Sequence, residues 1–132
     1  MPSAGRELPG LGRCRERGHE DQRVSALSTL NAVVLPSGTV FLTDAYVTLD
    51  PTAEEIAELA ILSAANMQRM DVEPRAALVS HSNFGDRRSP SAVKMRKAAE
   101  ILRNRNVDFE VDGEIHADVA LSNTLRPRAL EY

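Results

Sequence analysis

The sequence contains no tryptophan and only five other aromatic residues, so aromatic rings contribute little to any core. Hydrophobic residues nevertheless make up 42% of its 132 residues. That is enough apolar material for one ordinary domain. We therefore expect a core built from alanine, valine, leucine, isoleucine and methionine.

Cysteine, long apolar runs and excess charge are also scarce. The single cysteine, Cys14, excludes an internal disulfide and favours a reducing compartment. No apolar run approaches the roughly 18 residues of a membrane helix, and the N-terminus lacks the apolar core of a signal peptide. The net charge of −3 is not that of a nucleic-acid binder. A soluble, cytoplasmic protein without nucleic-acid or membrane partners is the expectation.

Residues 1–23 differ from the rest in composition. They mix glycine, proline and both signs of charge, and no apolar period runs through them. Such a stretch buries too little surface to offset the entropy lost on ordering, which predicts a disordered tail. An RNA-binding arm is the weaker alternative, because acidic residues alternate with the arginines.

From Val24 onward the pattern becomes regular. Two β-rich runs flank Pro36-Ser37-Gly38, which predicts a hairpin with Gly38 in a left-handed turn position. A helix follows, with Asp50 or Thr52 as its cap and a capping box between Thr52 and Glu55. Its predicted buried stripe contains Ile56, Leu59, Ala60, Ser63, Met67 and Met70.

The second half of the chain predicts a strand, a helix and another strand. Ala76 to Val79 is a continuous apolar run, typical of a strand covered on both faces. Ser89 is a natural N-cap followed by Pro90. The stripe of that helix contains Val93, Arg96 through its stem, Ala99, Ile101 and Leu102.

The last predicted strand shows alternation at Val107, Phe109 and Val111. Asp112-Gly113 is expected to end it, and a short helix or turn carries residues 115–121. Strand–helix–strand–helix–strand after an N-terminal hairpin indicates an α/β fold with a βαβ sheet.

The loop "SHSNFGDRRSP", residues 80–90, has two readings. Loops that follow parallel strands commonly bind ligands, and the helix beginning near Ser89 offers free N–H groups. The candidate anion-binding groups are Ser80, Ser82, Asn83, the Gly85 amide, Arg87 and Arg88. In the alternative, Ser89 caps the helix, Gly85 forms a turn and the arginines are solvated. Neither a P-loop nor a dinucleotide-binding glycine motif is present.

The segment "DGEIHAD", residues 112–118, concentrates three carboxylates and a histidine at a strand end. It is able in principle to bind a metal or position a substrate. A structural role, with Asp112 in a turn and Asp118 as a helix cap, is favoured over metal binding. His81 and His116 are each interpreted as structural histidines.

Three blocks of the chain resemble one family in order and separation. They read "FLTDAYVTLDPTAEEIAELA", "ALVSHSNFGDRRSPSAVKMRKAAEIL" and "VDGEIHADVAL". The family is the phosphate acetyl/butyryltransferases, and "SHSNFG" with "SPSA.KMR" is most similar to the domain fused to the C-terminus of bacterial NADP-dependent malic enzymes. The resemblance covers about residues 24–128.

The resemblance implies a partial isocitrate/isopropylmalate dehydrogenase-like fold, in which two α/β subdomains enclose a cleft. The family moves an acetyl group between phosphate and coenzyme A. By similarity, the cleft for acyl phosphate or acetyl-CoA would be lined by Ser80, Ser82, Asn83, Gly85, Asp112, Glu114 and Asp118. No catalytic residue is assigned. In malic-enzyme fusions the domain is thought to sense acetyl-CoA and to support a homo-oligomer.

The family domain is much longer than this chain, and no malic-enzyme region is present. The expectation is therefore an incomplete domain at 24–128, a tail at 1–23 and a C-terminal end at 129–132. No metal or other cofactor is expected in this segment, because NADP and a divalent metal belong to a parent malic enzyme. Three functions are weighed: regulatory ligand binding, part of a catalytic phosphate acetyltransferase, and an inactive segment used only in assembly.

Overall fold

A computed structural model describes residues 29–43 and 49–125. In chain order the elements are β1 (Leu30–Leu35), β2 (Gly38–Thr43), α1 (Ala53–Arg69), β3 (Arg75–Val79), α2 (Pro90–Asn104), β4 (Glu110–Ile115) and α3 (Ala117–Leu121). The tail predicted at 1–23 and the end at 129–132 lie outside the described residues. Within the described ranges, no helix combines the length and apolarity needed to cross a bilayer.

The predicted hairpin is confirmed. β1 and β2 pair antiparallel from Leu30 opposite Thr43 to Leu35 opposite Gly38. Gly38 has a φ of 141°, a conformation that residues with a side chain rarely adopt. Most residues of the hairpin are exposed, and Val34 is 81% exposed.

The start of α1 follows the predicted capping box. The Thr52 hydroxyl accepts a hydrogen bond from the Glu55 amide at 3.2 Å, and the Glu55 carboxylate accepts one from the Thr52 amide at 2.7 Å. The buried face consists of Ala53, Ile56, Ala57, Leu59, Ala60, Ser63 and Ala64. Met70 is exposed, contrary to prediction, because the helix ends at Arg69 and Asp71 turns the chain at φ 57°.

The central unit is a βαβ arrangement. β3 and β4 pair in parallel, and α2 connects them and packs against both. α1 packs against α2, so the core lies between the two helices and the strand pair. Its buried members are Ala53, Ile56, Ala57, Ala60, Leu78, Ala98, Ala99 and Leu102.

The predicted βαβ sheet is confirmed for β3, α2 and β4, but the expectation that a strand of the hairpin belongs to the same sheet is wrong for the described residues. β2 pairs with β1 alone, and β3 pairs with β4 alone, which gives two separate two-stranded sheets. β3 is also covered on one face rather than two, since Leu78 is buried while Ala77 and Val79 are exposed. The continuous apolar run indicated a buried strand, but both helices cover the Leu78 side. The described residues form a small α/β unit.

β4 does not end at Asp112-Gly113 as predicted. The strand continues to Ile115, and Gly113 lies within it at a φ of 128°. A Cβ at Gly113 would lie 2.7 Å from the Leu78 carbonyl oxygen, so glycine here permits close strand contact. The strand also begins later than predicted, because Val107 and Phe109 precede β4. In α2, Val93 is 46% exposed although the predicted stripe placed it inside.

Candidate functional site

The carboxyl ends of β3 and β4 lie side by side, and the polar segments singled out in the sequence meet there. The loop of residues 80–89 follows β3, and His116 follows β4. The Ser80 amide donates to the Ile115 carbonyl at 3.0 Å, which extends the contact of the two strands into the loop. This edge is the position where ligands commonly bind in parallel sheets.

Glu114 is the centre of this edge. Its side chain is fully buried. One carboxylate oxygen, Oε1, accepts from the Ser82 hydroxyl at 2.7 Å, the Gly85 amide at 2.7 Å and Arg96 Nη2 at 2.8 Å. The other, Oε2, accepts from Arg96 Nε at 2.9 Å. Four donors therefore surround one carboxylate, as a buried charge requires.

The register of the strand pair explains why Glu114 turns toward the loop. Leu78 pairs with Gly113, but the next residue, Val79, pairs with Ile115. Glu114 is therefore the extra residue of a bulge, a device that redirects a side chain out of the regular ladder. The Gly113–Glu114 peptide bond is cis. The Glu114 carbonyl accepts from the Phe84 amide at 2.8 Å, so both its backbone and its side chain bind the loop.

The charge of Glu114 is matched by Arg96. Burial raises the pKa of Glu114, but hydrogen bonds from Arg96, Ser82 and Gly85 outweigh burial and hold that pKa below its ordinary value. The same contact raises the pKa of Arg96. Arg96 also donates from Nη2 to the Arg87 carbonyl at 3.1 Å, so α2 holds the loop from below.

Ser82 lies between two carboxylates. Its buried hydroxyl oxygen is 2.7 Å from Glu114 Oε1 and 2.8 Å from Asp86 Oδ1, and it accepts from the Arg87 amide at 3.2 Å. A serine hydroxyl has one hydrogen, so it donates to only one carboxylate at a time. Hydrogen bonds from Ser82 and from the Asn83 amide lower the pKa of Asp86.

The remaining predicted loop groups also bind within the chain. Ser80 Oγ accepts from the Ser82 amide at 3.0 Å, and Asn83 Oδ1 accepts from the His116 amide at 2.8 Å. The structure thus brings together five of the predicted cleft residues: Ser80, Ser82, Asn83, Gly85 and Glu114. Their polar groups build the frame of the loop, whereas the exposed charges on it belong to Asp86, Arg87 and Arg88.

The other two predicted cleft residues lie apart from this frame. Asp112 is half-buried within β4, and Asp118 is exposed in the first turn of α3. The prediction that Asp118 caps this helix is wrong, because His116 is the N-cap. Asp118 Oδ1 instead accepts a hydrogen bond from the Val119 amide at 2.8 Å. Among the described residues, no group of three acids, histidines or cysteines is placed to hold a metal.

The plain helix-capping interpretation of Ser89 is confirmed. Its hydroxyl accepts from the Ala92 amide at 3.3 Å and lies 2.7 Å from His81 Nε2. Pro90 occupies the first helical position. These contacts fix the start of α2 directly beneath the loop.

Sequence reasoning missed the role of Arg96. The helical pattern placed it on the apolar stripe of α2 through its aliphatic stem, without a partner. A signal was present, because a charged residue on an apolar stripe needs an opposite charge. Glu114, in a strand that otherwise reads as half-buried, was the available acid.

A comparison with protein families matches residues 17–131 to the model described as phosphate acetyl/butaryl transferase. The chain belongs to this family. The resemblance found in the three sequence blocks is therefore confirmed.

Among curated proteins, the chain is similar to malic enzymes and to phosphate acetyltransferases. It is 47% identical over 103 residues to an NADP-dependent malic enzyme of Salmonella typhimurium, which covers 78% of the chain and 14% of that enzyme. It is 34% identical over 97 residues to a phosphate acetyltransferase of Buchnera aphidicola, or 74% of the chain and 14% of that protein. The chain thus spans about one seventh of the length of these relatives.

Two solved structures share the fold. A EutD phosphotransacetylase from Staphylococcus aureus superposes with a TM-score of 0.72 at 18% identity, over 78% of this chain and 33% of that one. A phosphotransacetylase from Streptococcus pyogenes gives 0.69 at 29% identity, over 76% and 32%. The expected isocitrate/isopropylmalate dehydrogenase-like fold is therefore wrong, since the described α/β unit matches phosphotransacetylases. Loop motifs carried the resemblance, and such motifs specify a site more closely than an architecture.

Proposed function

We propose that the described edge of β3 and β4 forms one wall of a cleft for acetyl-CoA or acyl phosphate in a phosphate acetyltransferase-like domain of a malic enzyme, where binding is regulatory. The proposal is carried by the exposed cation pair Arg87-Arg88, which lies on a loop bound by hydrogen bonds to Glu114 and Arg96. Both ligands carry phosphate, and a positioned guanidinium binds phosphate oxygens well.

The loop is prepared for binding before any ligand arrives. Gly85, Phe84 and Ser82 are tied to Glu114, and Glu114 is tied to Arg96 on α2. A preformed loop loses little conformational entropy on binding, which favours affinity. Among the described residues, neither Arg87 nor Arg88 is held in an ion pair, so no ion pair has to break before either guanidinium contacts an anion.

Regulation rather than catalysis is favoured by the relatives. Five malic enzymes match at 42–48% identity, over 84 residues in one case and 103 in the other four, compared with 29–34% for three phosphate acetyltransferases. In a malic enzyme the acyl ligand is not the substrate of the named activity. Binding at this wall would then change that activity from a distance, which requires a coupling free energy between two sites.

Binding is tested by titrating acetyl-CoA into the full chain by isothermal titration calorimetry. We expect saturable binding, weakened roughly tenfold or more when Arg87 and Arg88 are both changed to Gln, because one close charge contact is worth about 1–4 kcal/mol. Arg75→Gln is the matched control, since Arg75 is exposed at the opposite end of β3. Absence of binding at millimolar acetyl-CoA, or equal weakening by the control, contradicts the proposal.

The regulatory step is tested in a malic enzyme that carries this segment. Acetyl-CoA is expected to change the rate of malate oxidation, and the double arginine variant is expected to abolish that response while leaving the basal rate unchanged. A rate that does not respond to acetyl-CoA in the unaltered enzyme excludes regulation through this wall.

A catalytic role is the second candidate, favoured by the two phosphotransacetylase structures that share the fold. It requires a base that forms the coenzyme A thiolate and cations that stabilise the developing phosphate charge. Incubating the chain with acetyl phosphate and coenzyme A separates the candidates. Formation of acetyl-CoA above the uncatalysed rate supports catalysis, whereas binding without turnover supports regulation.

An assembly role rests on the exposed apolar residues of the hairpin, including Val34 and Leu42. Apolar surface of this kind favours association. A homo-oligomer in size-exclusion chromatography that Val34→Lys converts to a smaller species supports it, and an unaltered elution volume excludes the hairpin as the interface.

A further inference from the structure

Asp86 occupies a backbone donor of the loop, the exposed Asn83 amide, that would otherwise be open to an incoming anion. Its Oδ1 accepts from the Asn83 amide at 2.9 Å and lies 2.8 Å from the Ser82 hydroxyl. The side chain is on the exposed surface of the loop, directly before Arg87 and Arg88. A carboxylate of the chain itself therefore sits where backbone and hydroxyl donors converge at the proposed phosphate-binding loop.

The loop is also anchored independently of Asp86. Glu114 already binds Ser82 Oγ, the Gly85 amide and, through its carbonyl, the Phe84 amide. Because the Ser82 hydroxyl has a single hydrogen, the two carboxylates compete for it. Removing the Asp86 carboxylate leaves that hydrogen to Glu114 at 2.7 Å, so the loop keeps its buried anchor.

The charge of Asp86 also opposes a phosphate. Hydrogen bonds from Ser82 and the Asn83 amide are the main causes of the lowered pKa of Asp86, and the positive charge of Arg87 lowers that pKa further. Asp86 therefore stays negatively charged beside the cations proposed to bind a ligand. The other nearby acid, Glu114, is buried and paired with Arg96. Asp86 is thus the exposed negative charge within the loop itself.

From this geometry we infer that Asp86 is a specificity-determining residue: a built-in carboxylate that competes with phosphate groups for the loop and lowers its affinity for them. The inference rests on the proposed function, because it concerns the same loop. The Asp86 carboxylate keeps the affinity for small anions low. A ligand then needs further contacts, such as those of a whole acyl-CoA, to displace the carboxylate.

Three variants of the full chain separate charge from hydrogen bonding. Asp86→Asn removes the charge but keeps an acceptor oxygen, and Asp86→Ala removes both. Glu110→Gln is the control, since it makes the same change of net charge on an exposed acid at the opposite end of β4. Inorganic phosphate and acetyl phosphate are the probes, followed through the backbone amide signals of the loop by NMR titration.

We expect Asp86→Ala to bind inorganic phosphate roughly tenfold more tightly than the unaltered chain, because it removes one like charge near the anion and also frees the Asn83 amide. Asp86→Asn is expected to give a smaller gain, and Glu110→Gln less than twofold. A purely structural role for Asp86 predicts the opposite sign, because a loosened loop binds more weakly.

The outcomes distinguish this inference from the proposed function. Unchanged or weaker phosphate binding by Asp86→Ala, in a chain that binds acetyl-CoA, overturns the role of Asp86 alone. Failure of every variant to bind phosphate, acetyl phosphate and acetyl-CoA overturns both. Binding of phosphate by Asp86→Ala where the unaltered chain shows none supports the inference directly.

Discussion

The β3–β4 pair carries an arginine–glutamate ion pair at each end, and the two pairs differ in almost everything except their chemistry. At the amino end, Arg75 and Glu110 are 3.6 Å apart, with side chains 69% and 77% exposed. At the carboxyl end, Arg96 and Glu114 are 2.8 Å apart, and the Glu114 side chain is fully buried. Water screens the first pair, whereas the second is enclosed by protein donors.

The difference shows which end of the strand pair is built to hold a fixed conformation. An exposed ion pair contributes about 0–1 kcal/mol and leaves both side chains mobile. A buried carboxylate is stable only while its donors stay in place, so it forces the surrounding loop into one arrangement. Glu114 therefore acts as a positioning residue for residues 80–89, while Glu110 has no comparable effect on the chain around it.

The largest effect that tests this comparison is expected from Glu114→Gln. The substitution keeps the shape but removes the charge and turns one acceptor into a donor facing Arg96. We expect the free energy of unfolding to fall by about 1.5–3 kcal/mol, the range for hydrogen bonds to charged groups. Chemical denaturation followed by circular dichroism measures it.

Glu110→Gln is the matched control at the amino end. Its effect on the free energy of unfolding is expected to stay within about 0.5 kcal/mol. Equal losses from the two substitutions would remove the distinction between the ends of the strand pair. Arg96→Lys sharpens the test further, because lysine restores the charge but not the two-nitrogen geometry that Arg96 presents to Glu114.

The second largest effect on stability is expected from Gly113→Ala, which disturbs the bulge that orients Glu114 toward the loop. Gly113 has a φ of 128°, and a Cβ there would lie 2.7 Å from the Leu78 carbonyl oxygen. Strain of this kind costs about 1–3 kcal/mol. We expect lower stability by about 2 kcal/mol together with shifted amide signals for residues 82–85.

Gly85→Ala provides the comparison for that prediction. The nearest atoms to a Cβ at Gly85 belong to the Arg96 side chain at 3.6 Å or more, which is ordinary contact. The loss of stability expected from Gly85→Ala therefore arises only from the backbone φ of 102°. A loss at Gly85 as large as that at Gly113 would contradict the role assigned to close strand contact.

Local sequence signals predicted the elements whose causes are local. The Thr52–Glu55 capping box, the Ser89 cap and the hairpin at Pro36-Ser37 depend on residues a few positions apart, and all three are confirmed. The family resemblance, rather than any local pattern, implied that residues of the 80–85 loop and of 112–118 would line one cleft, and the carboxyl ends of the parallel strands do lie side by side.

The features that sequence missed depend on pairing between distant segments. The bulge at Gly113 exists only relative to Leu78 on β3, and the orientation of Glu114 follows from that register shift. The family resemblance placed Glu114 among the residues that line the cleft, whereas in the structure its side chain turns inward and binds Arg96. The separation of the hairpin from the β3–β4 sheet was missed for the same reason. The residue pattern of a single strand does not determine which other strand it pairs with.

The smallest effect is a pH dependence that separates the two ends once more. Burial raises the pKa of Glu114, but the donors around it outweigh burial and lower that pKa below the ordinary value of 4.5. A carboxyl group with a lowered pKa in the folded state stabilises the fold above its unfolded pKa, and this stabilisation is lost as the pH falls through the folded value. The unaltered chain is therefore expected to lose stability below about pH 4.5 more steeply than Glu114→Gln does.

Thermal unfolding midpoints measured from neutral pH down to about pH 3 compare the two proteins, with Glu110→Gln again as the control. Asp86 and Glu54 also have lowered pKa values, so every variant loses some stability in acid. Those two acids are present in all three proteins, so their contribution cancels in the differences. The midpoint difference between the unaltered chain and Glu114→Gln should narrow as the pH falls. Parallel profiles for all three proteins would mean that Glu114 is no better stabilised as an anion than an acid on the open surface.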